Sequence, residues 1–155
     1  MPGSDIRGLE IIKMKTVLFI CVHNSGRSQM AEAFFNEMAK GKAVAISAGT
    51  EPGTGVNPIV VAAMKEVWID ISKKMPKLLT MEMVESSNLA ITMGCMEEAK
   101  ACPAAFVPSE DWRLTDPHDK PIEEVRLIRD EIRRRVELLI NRLLPEKLET
   151  PTKEE

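Results

Sequence analysis

The chain has 155 residues, 44% of them hydrophobic, and a formal net charge of −3. This length supports one hydrophobic core and is too short for two large domains. The lack of a basic excess argues against nucleic acid as a partner. No apolar run approaches the roughly 20 residues that span a bilayer, and residues 1–10 lack the apolar stretch of a secretion signal. We therefore expect a cytoplasmic protein without a membrane partner.

Composition also sets the expected domain boundaries. Residues 1–14 are polar and contain glycine, so they are interpreted as an N-terminal extension, with Met14 as an alternative start. A single domain is predicted over residues 15–145, and the charged residues 146–155 are expected to form a frayed tail. Three cysteines are too few for a disulfide scaffold and indicate catalytic, redox or inert thiols.

Apolar runs alternate with amphipathic segments along the chain. TVLFICV is typical of a strand buried on both faces of a parallel sheet, and the next segment has helical spacing and ends at a glycine. The predicted strands are 16–22, 43–47, 89–93 and a fourth at Phe106 and Val107. Four helices are predicted: the first at 29–40, the second with Asn57 as its N-cap and Pro58 as its first residue, the third at 80–85, and the fourth from Pro121 to about Leu144. The arginines of the last helix (Arg129, Arg133, Arg134) are interpreted as a solvated face, because acidic residues are interspersed.

This alternation predicts an α/β fold with three α/β/α layers, a central four-stranded parallel sheet and an anion-binding loop after the first strand. In such sheets, ligands bind beyond the carboxyl ends of the strands. Cys21 lies at the carboxyl end of the first predicted strand and Cys95 follows the third, so both are expected at the same edge of the sheet.

The loop from Cys21 to Arg27 carries the strongest chemical signal. A loop this short turns its backbone N–H groups inward and meets a helix N-terminus, whose partial positive charge attracts anions. The predicted residues for binding a tetrahedral oxyanion are Val22, His23, Asn24, Ser25, Gly26 and Arg27. Gly26 is expected to supply conformational freedom, and Asn24 tolerates a left-handed backbone.

Cys21 is the predicted nucleophile of this loop. The field of the helix N-terminus favours a thiolate, and the planar fork of Arg27 can hold two oxygens of an anion. Ser28 either donates a hydrogen bond to the thiolate or caps the helix. Taken alone, Cys21 would be interpreted as a buried thiol at a strand end, and His23 is interpreted as a packing residue rather than a base.

Four segments form a combined signature: CVHNSGRSQMAEAF at 21–34, SAGT followed by GVNP within 47–58, MGC with a second cysteine seven positions later within 93–102, and WRLTDP at 112–117. Together they resemble the low-molecular-weight tyrosine phosphatase superfamily and, within it, the thioredoxin-coupled arsenate reductases. The resemblance implies arsenate as substrate, phosphate or sulfate as competing anions, thioredoxin as reductant and no cofactor. It also implies that Asp116 is the general acid on a loop facing the anion.

The resemblance further implies a relay of three thiols. Cys21 attacks arsenate, Cys95 attacks the resulting adduct and releases arsenite, and Cys102 attacks the new disulfide. The last step leaves Cys95 and Cys102 paired for thioredoxin. Gly26 occupies a position where several reductases have another cysteine, so a small thiol stays open as an alternative reductant.

Two other functions stay open at this point. One is hydrolysis of phosphomonoesters or phosphotyrosine through a cysteinyl-phosphate, although His118 and Asp119 follow the Asp-Pro where phosphatases carry tyrosines, and the chain has no tyrosine. The other is a non-catalytic regulator that binds an oxyanion or metalloid, against which Asp116 argues.

No metal site is predicted from the cysteines, whose spacing lacks the close pairs of a structural zinc site. Potassium-responsive relatives resemble this chain at Asn24, Glu32 and Ser47. Their additional aspartate would align near Lys77, whose ammonium group could take the place of the cation.

Overall fold

The computed structural model describes residues 14–94 and 107–145. Its elements are β1 (Lys15–Cys21), α1 (Arg27–Ala39), β2 (Ala43–Gly49), α2 (Pro58–Lys65), α3 (Met81–Glu85), β3 (Leu89–Thr92), β4 (Ser109–Asp111) and α4 (Ile122–Leu143). The strand order is β2-β1-β3-β4, and every neighbouring pair is parallel. The predicted four-stranded parallel sheet is therefore confirmed.

Strand β1 lies at the centre of the protein and packs on both faces. Val17, Phe19 and Cys21 belong to a large core cluster with residues of α1, α2 and α4. Leu18 and Ile20 alternate with them and pack on the other face, in a smaller cluster that includes α3. Helices therefore cover both faces of the sheet, and the continuous apolar run of β1 reflects burial on two sides.

Some predicted boundaries were wrong. Strand β1 ends at Cys21, so Val22 already lies in the loop, and α1 begins at Arg27 rather than at residue 29. The fourth strand is Ser109–Asp111, not Phe106 and Val107: Val107 is buried in a bend, and Phe106 lies outside the described residues. An edge strand that pairs on one side only needs no apolar run, and hydrophobicity could not locate it. Residues 1–13 of the predicted extension at 1–14 and the whole predicted tail at 146–155 also lie outside the described residues.

The interpretation of α4 as carrying a solvated arginine face was wrong for Arg129. This residue is only 8% exposed. Its guanidinium donates hydrogen bonds to the carbonyl of Ala63, to Glu66 and to Asp130, at 2.8, 2.9 and 2.8 Å. Because these acceptors satisfy the charge of the guanidinium, Arg129 can occupy a buried position on the face of α4 that packs against α2. Within the described ranges, no helix is both long and apolar enough to cross a membrane.

Glu66→Gln is expected to weaken the junction of α2 and α4 at neutral pH and to flatten the acid dependence of stability. Hydrogen bonds from Arg126 and then Arg129 lower the pKa of Glu66 from 4.5 to about 2. Its stabilising contribution is thus complete above the unfolded value of 4.5 and is lost as the pH falls through about 2. Thermal unfolding followed by circular dichroism between neutral and acid pH measures this difference.

Glu137→Gln is the matched control for this measurement. Glu137 is an exposed glutamate of α4, and no ion pair of its side chain is found in the described part of the chain. We expect its unfolding midpoint to follow that of the unaltered protein at every pH. Identical pH profiles for the two variants would contradict a stabilising role of the Glu66 pairs.

Candidate active site

The thiol of Cys21 lies at the carboxyl end of β1 and is almost fully buried, at 2% exposure. Its sulfur is 3.2 Å from the backbone nitrogen of Asn24, which donates to it, and 2.9 Å from Oγ of Ser28. Ser28 is the second residue of α1, and the N-cap position belongs to Gly26. Of the two roles predicted for Ser28, the geometry therefore favours the hydrogen bond to sulfur.

The side chain of Asn24 fixes the shape of the loop. Asn24 is fully buried and has a left-handed φ of 54°, as its tolerance for this conformation predicted. Its Nδ2 donates to Oγ of Ser28 at 2.6 Å and to Oγ of Ser47 at 3.1 Å. Its Oδ1 accepts from Nε2 of Gln29 and from the backbone nitrogen of Lys77, at 3.0 and 2.9 Å. Because Ser28 accepts from Asn24, its own hydroxyl hydrogen is free to point at the sulfur of Cys21.

Arg27 connects the loop to two other parts of the chain. Its Nη1 donates to the carbonyls of Met93 and Leu114 at 2.8 and 2.9 Å. Its Nη2 lies 3.6 Å from Oδ2 of Asp116. Asp116 is half exposed, and its Oδ1 accepts from the backbone nitrogen of His118 at 3.0 Å. The predicted acid is thus beside the predicted anion-binding arginine, although 89 residues separate them in the chain.

A cavity of about 550 Å³ opens at this edge of the sheet. It is lined by Cys21 at the end of β1, by His23, Ser25 and Gly26 of the following loop, by Arg27 at the start of α1, and by the segments 53–55, 57–59 and 116–119. The side chain of His23 is exposed, and its Nδ1 lies 2.9 Å from the carbonyl of Glu51. Val22 does not line this cavity; its carbonyl accepts from the backbone nitrogen of Glu51 at 2.7 Å.

A glycine is needed at position 26 because the backbone there lies close to Pro117, and not because its φ is left-handed. Its φ is −148°, so the predicted conformational freedom is not used in that way. A Cβ at this position would lie 2.9 Å from Cγ of Pro117. The absence of a side chain therefore lets the loop that carries Asp116 close over the anion loop.

A second loop that sequence reasoning did not assign to the site supports the anion loop from outside. The backbone nitrogens of Gly53 and Asn57 donate to the carbonyls of His23 and Ser25 at 3.0 and 2.9 Å. A Cβ on Gly49 would lie 2.5 Å from the carbonyl oxygen of Val22. The signal that could have found this loop is the run of glycine and turn-forming residues AGTEPGTG, which begins in the last two residues of β2 and continues beyond it.

A buried carboxylate lies behind the loop. Glu32 is 7% exposed, accepts a hydrogen bond from Oγ of Ser47, and lies 3.5 Å from Nζ of Lys74 and 3.7 Å from Nζ of Lys77. The ammonium of Lys77 is thus at the position that the resemblance indicated, while Lys74 was missed. Among the residues that the structure describes, no group of three or more His, Cys, Asp or Glu side chains could hold a metal ion.

The other two predicted catalytic thiols, Cys95 and Cys102, lie outside the described residues. Gly94, just beyond the carboxyl end of β3, is the last described residue before these two thiols, and Val107 is the first described residue after them. Strand β3 pairs directly with β1. The end of β3 therefore lies at the same edge of the sheet as Cys21.

Comparisons with known proteins fit this geometry. The family model described as low molecular weight phosphotyrosine protein phosphatase matches residues 16–149. An arsenate reductase of Staphylococcus aureus (strain Newman) is 41% identical over 125 residues, which cover 79% of this chain and 94% of that protein.

Solved structures show the same relationship. An arsenate reductase in the phosphate binding state matches with a TM-score of 0.75 at 35% identity, covering 83% of this chain and 98% of that one. A thioredoxin-dependent arsenate reductase of Corynebacterium glutamicum matches with a TM-score of 0.72 at 31% identity, covering 93% of this chain and 72% of that one. The chain therefore belongs to the low molecular weight phosphotyrosine protein phosphatase family.

Proposed function

We propose that this protein reduces arsenate to arsenite, with Cys21 as the nucleophile. The observation that carries the proposal is the position of the Cys21 thiol, which opens onto a cavity that Arg27 and Asp116 also line. The arsenate reductases among its relatives support arsenate as the oxyanion.

The first chemical step follows from the contacts of three residues. The guanidinium of Arg27 and the inward backbone N–H groups hold arsenate with its arsenic facing the sulfur. The Cys21 thiolate forms the sulfur–arsenic bond, and one oxygen leaves as water after Asp116 donates a proton. A hydrogen bond from Ser28 stabilises the thiolate before the attack.

The later steps use the thiols of Cys95 and Cys102. The Cys95 thiolate attacks the sulfur of Cys21; the sulfur–arsenic bond breaks, its electron pair stays on arsenic, and arsenite leaves. Arsenic is thereby reduced by two electrons, and a disulfide forms between Cys21 and Cys95. Cys102 then attacks Cys95 and frees Cys21, and the remaining disulfide is reduced by thioredoxin in the cytoplasm. The thioredoxin-dependent relative supports this choice of reductant.

Hydrolysis of phosphomonoesters is the second candidate function. The cavity of about 550 Å³ is several times larger than a tetrahedral oxyanion requires, and the apolar side chains of Pro58, Ile59 and Pro117 line it. An aryl or alkyl group attached to phosphate would fit there. Hydrolysis would use Cys21, Arg27 and Asp116 and would need neither of the other thiols.

We infer that the loop needs no added potassium ion. Glu32 lies within 4 Å of two lysine ammonium groups, at 3.5 and 3.7 Å. These groups already balance the carboxylate that a monovalent cation would otherwise face, as expected for Lys77 from the resemblance.

Inorganic phosphate is expected to slow the alkylation of Cys21 by iodoacetamide. An anion bound between Arg27 and the loop backbone occupies the space through which the reagent must approach the sulfur. Peptide mapping by mass spectrometry distinguishes Cys21 from the other two cysteines, and chloride at equal ionic strength is the control. An alkylation rate of Cys21 that is independent of phosphate would argue against an anion site at this loop.

Asp116→Asn should retain phosphate affinity while turnover falls by roughly 10²- to 10⁴-fold, the range for a positioned general acid. The amide preserves an oxygen that accepts from His118, replaces the carboxyl oxygen that faces Arg27, and has no acidic proton to donate. Steady-state kinetics with arsenate and with an aryl phosphate measure the loss. Asp119→Asn is the matched control, because Asp119 lines the same cavity and has no proposed proton to give. If the two variants were equally active, Asp116 would be a turn residue and not the general acid.

Replacing each of the three thiols should block a different step of the reaction, because each thiol acts at its own step of the relay. We expect Cys21→Ser to lose every activity, and Cys95→Ser to lose arsenite release while aryl phosphate hydrolysis continues. Cys102→Ser should complete at most one turnover and accumulate a disulfide between Cys21 and Cys95. Non-reducing peptide mapping after a stoichiometric arsenate pulse detects that bond. Normal multiple turnover of Cys102→Ser with thioredoxin would show that an external thiol resolves the adduct.

A further inference from the structure

Gly94 lies where the exit of β3 meets the segment that leads to Asp116. Its φ is 86°, and a Cβ at this position would lie 2.7 Å from Cα of Arg113 and 3.4 Å from its carbonyl carbon. The clashing atom, Cα of Arg113, belongs to the backbone, so no change of rotamer could relieve the overlap. Gly94 therefore allows the two chain segments to lie closer together than any other residue would permit.

The same two segments hold the guanidinium of Arg27. One nitrogen, Nη1, donates to the carbonyl of Met93, which precedes Gly94, and to the carbonyl of Leu114, which follows Arg113. A single nitrogen reaches both acceptors at 2.8 and 2.9 Å only because the two backbones are so close. The spacing at Gly94 thus sets the geometry of these two hydrogen bonds.

The orientation of Arg27 depends on this double contact. Its side chain is only 9% exposed, and with Nη1 engaged by carbonyls, Nη2 is turned towards Asp116 at 3.6 Å. The guanidinium is planar and its donors are fixed relative to one another, so holding one nitrogen aims the rest of the fork. Moving either carbonyl would rotate the group that is to meet the anion.

We propose that Gly94 is a positioning residue for Arg27: its lack of a side chain allows the carbonyls of Met93 and Leu114 to lie close together, and these carbonyls orient the guanidinium for the oxyanion. The inference rests on the anion binding proposed for the loop. It goes further in making the end of β3 part of the anion site, although no atom of Gly94 lines the cavity.

Gly94→Ala compared with Gly41→Ala tests the proposal. Gly41 has a nearly equal φ of 84°, but a Cβ there meets no atom within 4 Å. The control therefore shares the cost of alanine in a left-handed conformation and lacks the backbone clash. The readouts are the Kd of inorganic phosphate from titration calorimetry and the kcat/KM for an aryl phosphate. Circular dichroism first establishes that each variant is folded.

For Gly94→Ala we expect the Kd of phosphate to rise about tenfold, the effect of losing one charge-assisted hydrogen bond. We expect kcat/KM to fall about 100-fold, as for a small misplacement of a catalytic group. Gly41→Ala should leave both quantities within about twofold. Because phosphate binding does not involve arsenate or the other cysteines, a protein without reductase activity still gives a decisive result. A folded Gly94→Ala variant with unaltered phosphate affinity overturns the proposal.

A double variant shows whether Gly94 acts through Arg27. In Arg27→Lys the charge stays, but an ammonium does not reproduce the fixed fork. Adding Gly94→Ala to Arg27→Lys should then change the Kd of phosphate by less than about twofold. A full tenfold effect in both backgrounds would mean that Gly94 acts independently of Arg27, contrary to the proposal.

A further measurement does not require the Gly94 variant to fold. Because Nη1 of Arg27 donates to one carbonyl in each segment, Arg27→Lys alone should speed amide hydrogen exchange in residues 90–94 and 112–116, relative to the unaltered protein. Residues 43–49 of β2 serve as the internal reference. Unchanged exchange in either of the two segments would contradict the link between Arg27 and the close approach at Gly94.

Discussion

The site depends on one buried amide, the side chain of Asn24. A loop of five residues between a strand and a helix cannot bury its own polar groups without partners, and the left-handed residue at its centre supplies them. Its Nδ2 donates to the hydroxyls of Ser28 and Ser47, so one group belongs to α1 and the other to β2. Its backbone nitrogen donates to the sulfur of Cys21. The residue that shapes the loop therefore also contacts the sulfur of the proposed nucleophile.

Much of the fold follows from local patterns in the sequence. The run TVLFICV predicted a central strand, and β1 pairs with β2 and β3 and is buried on both faces because helices pack on each side of the sheet. The edge strand β4 could not be found in this way, since its side chains are largely exposed and its pairing with β3 depends on the backbone. Arg129 was misassigned for a related reason: the acceptors that allow its burial include Ala63 and Glu66, which are distant in sequence.

The candidate site likewise has parts that a local sequence pattern predicts and parts that depend on contacts distant in sequence. Cys21, Ser28 and Arg27 could be predicted together, because a strand, a tight loop and a helix N-terminus in sequence constrain one another. The resemblance supplied Asp116, and the structure places it beside Arg27. What no local pattern contains is the contact of Arg27 with the carbonyls of Met93 and Leu114, more than 60 residues away. Carbonyl acceptors carry no residue-specific signal, and only the fold brings them to the guanidinium.

The charges around the Cys21 thiol are separated by depth. On the cavity side, Arg27 and the N-terminus of α1 offer positive charge to the proposed oxyanion site. On the inner side lies the carboxylate of Glu32, which unpaired would repel an anion at that site through a medium of low dielectric. Two lysine ammonium groups face it within 4 Å, and the hydroxyl of Ser47 donates to it. Among the described residues, the neutral amide of Asn24 and the hydroxyls of Ser47 and Ser28 connect this carboxylate and its two ammonium groups to the sulfur. The buried acid can therefore anchor the loop without presenting an unpaired negative charge to the proposed anion site.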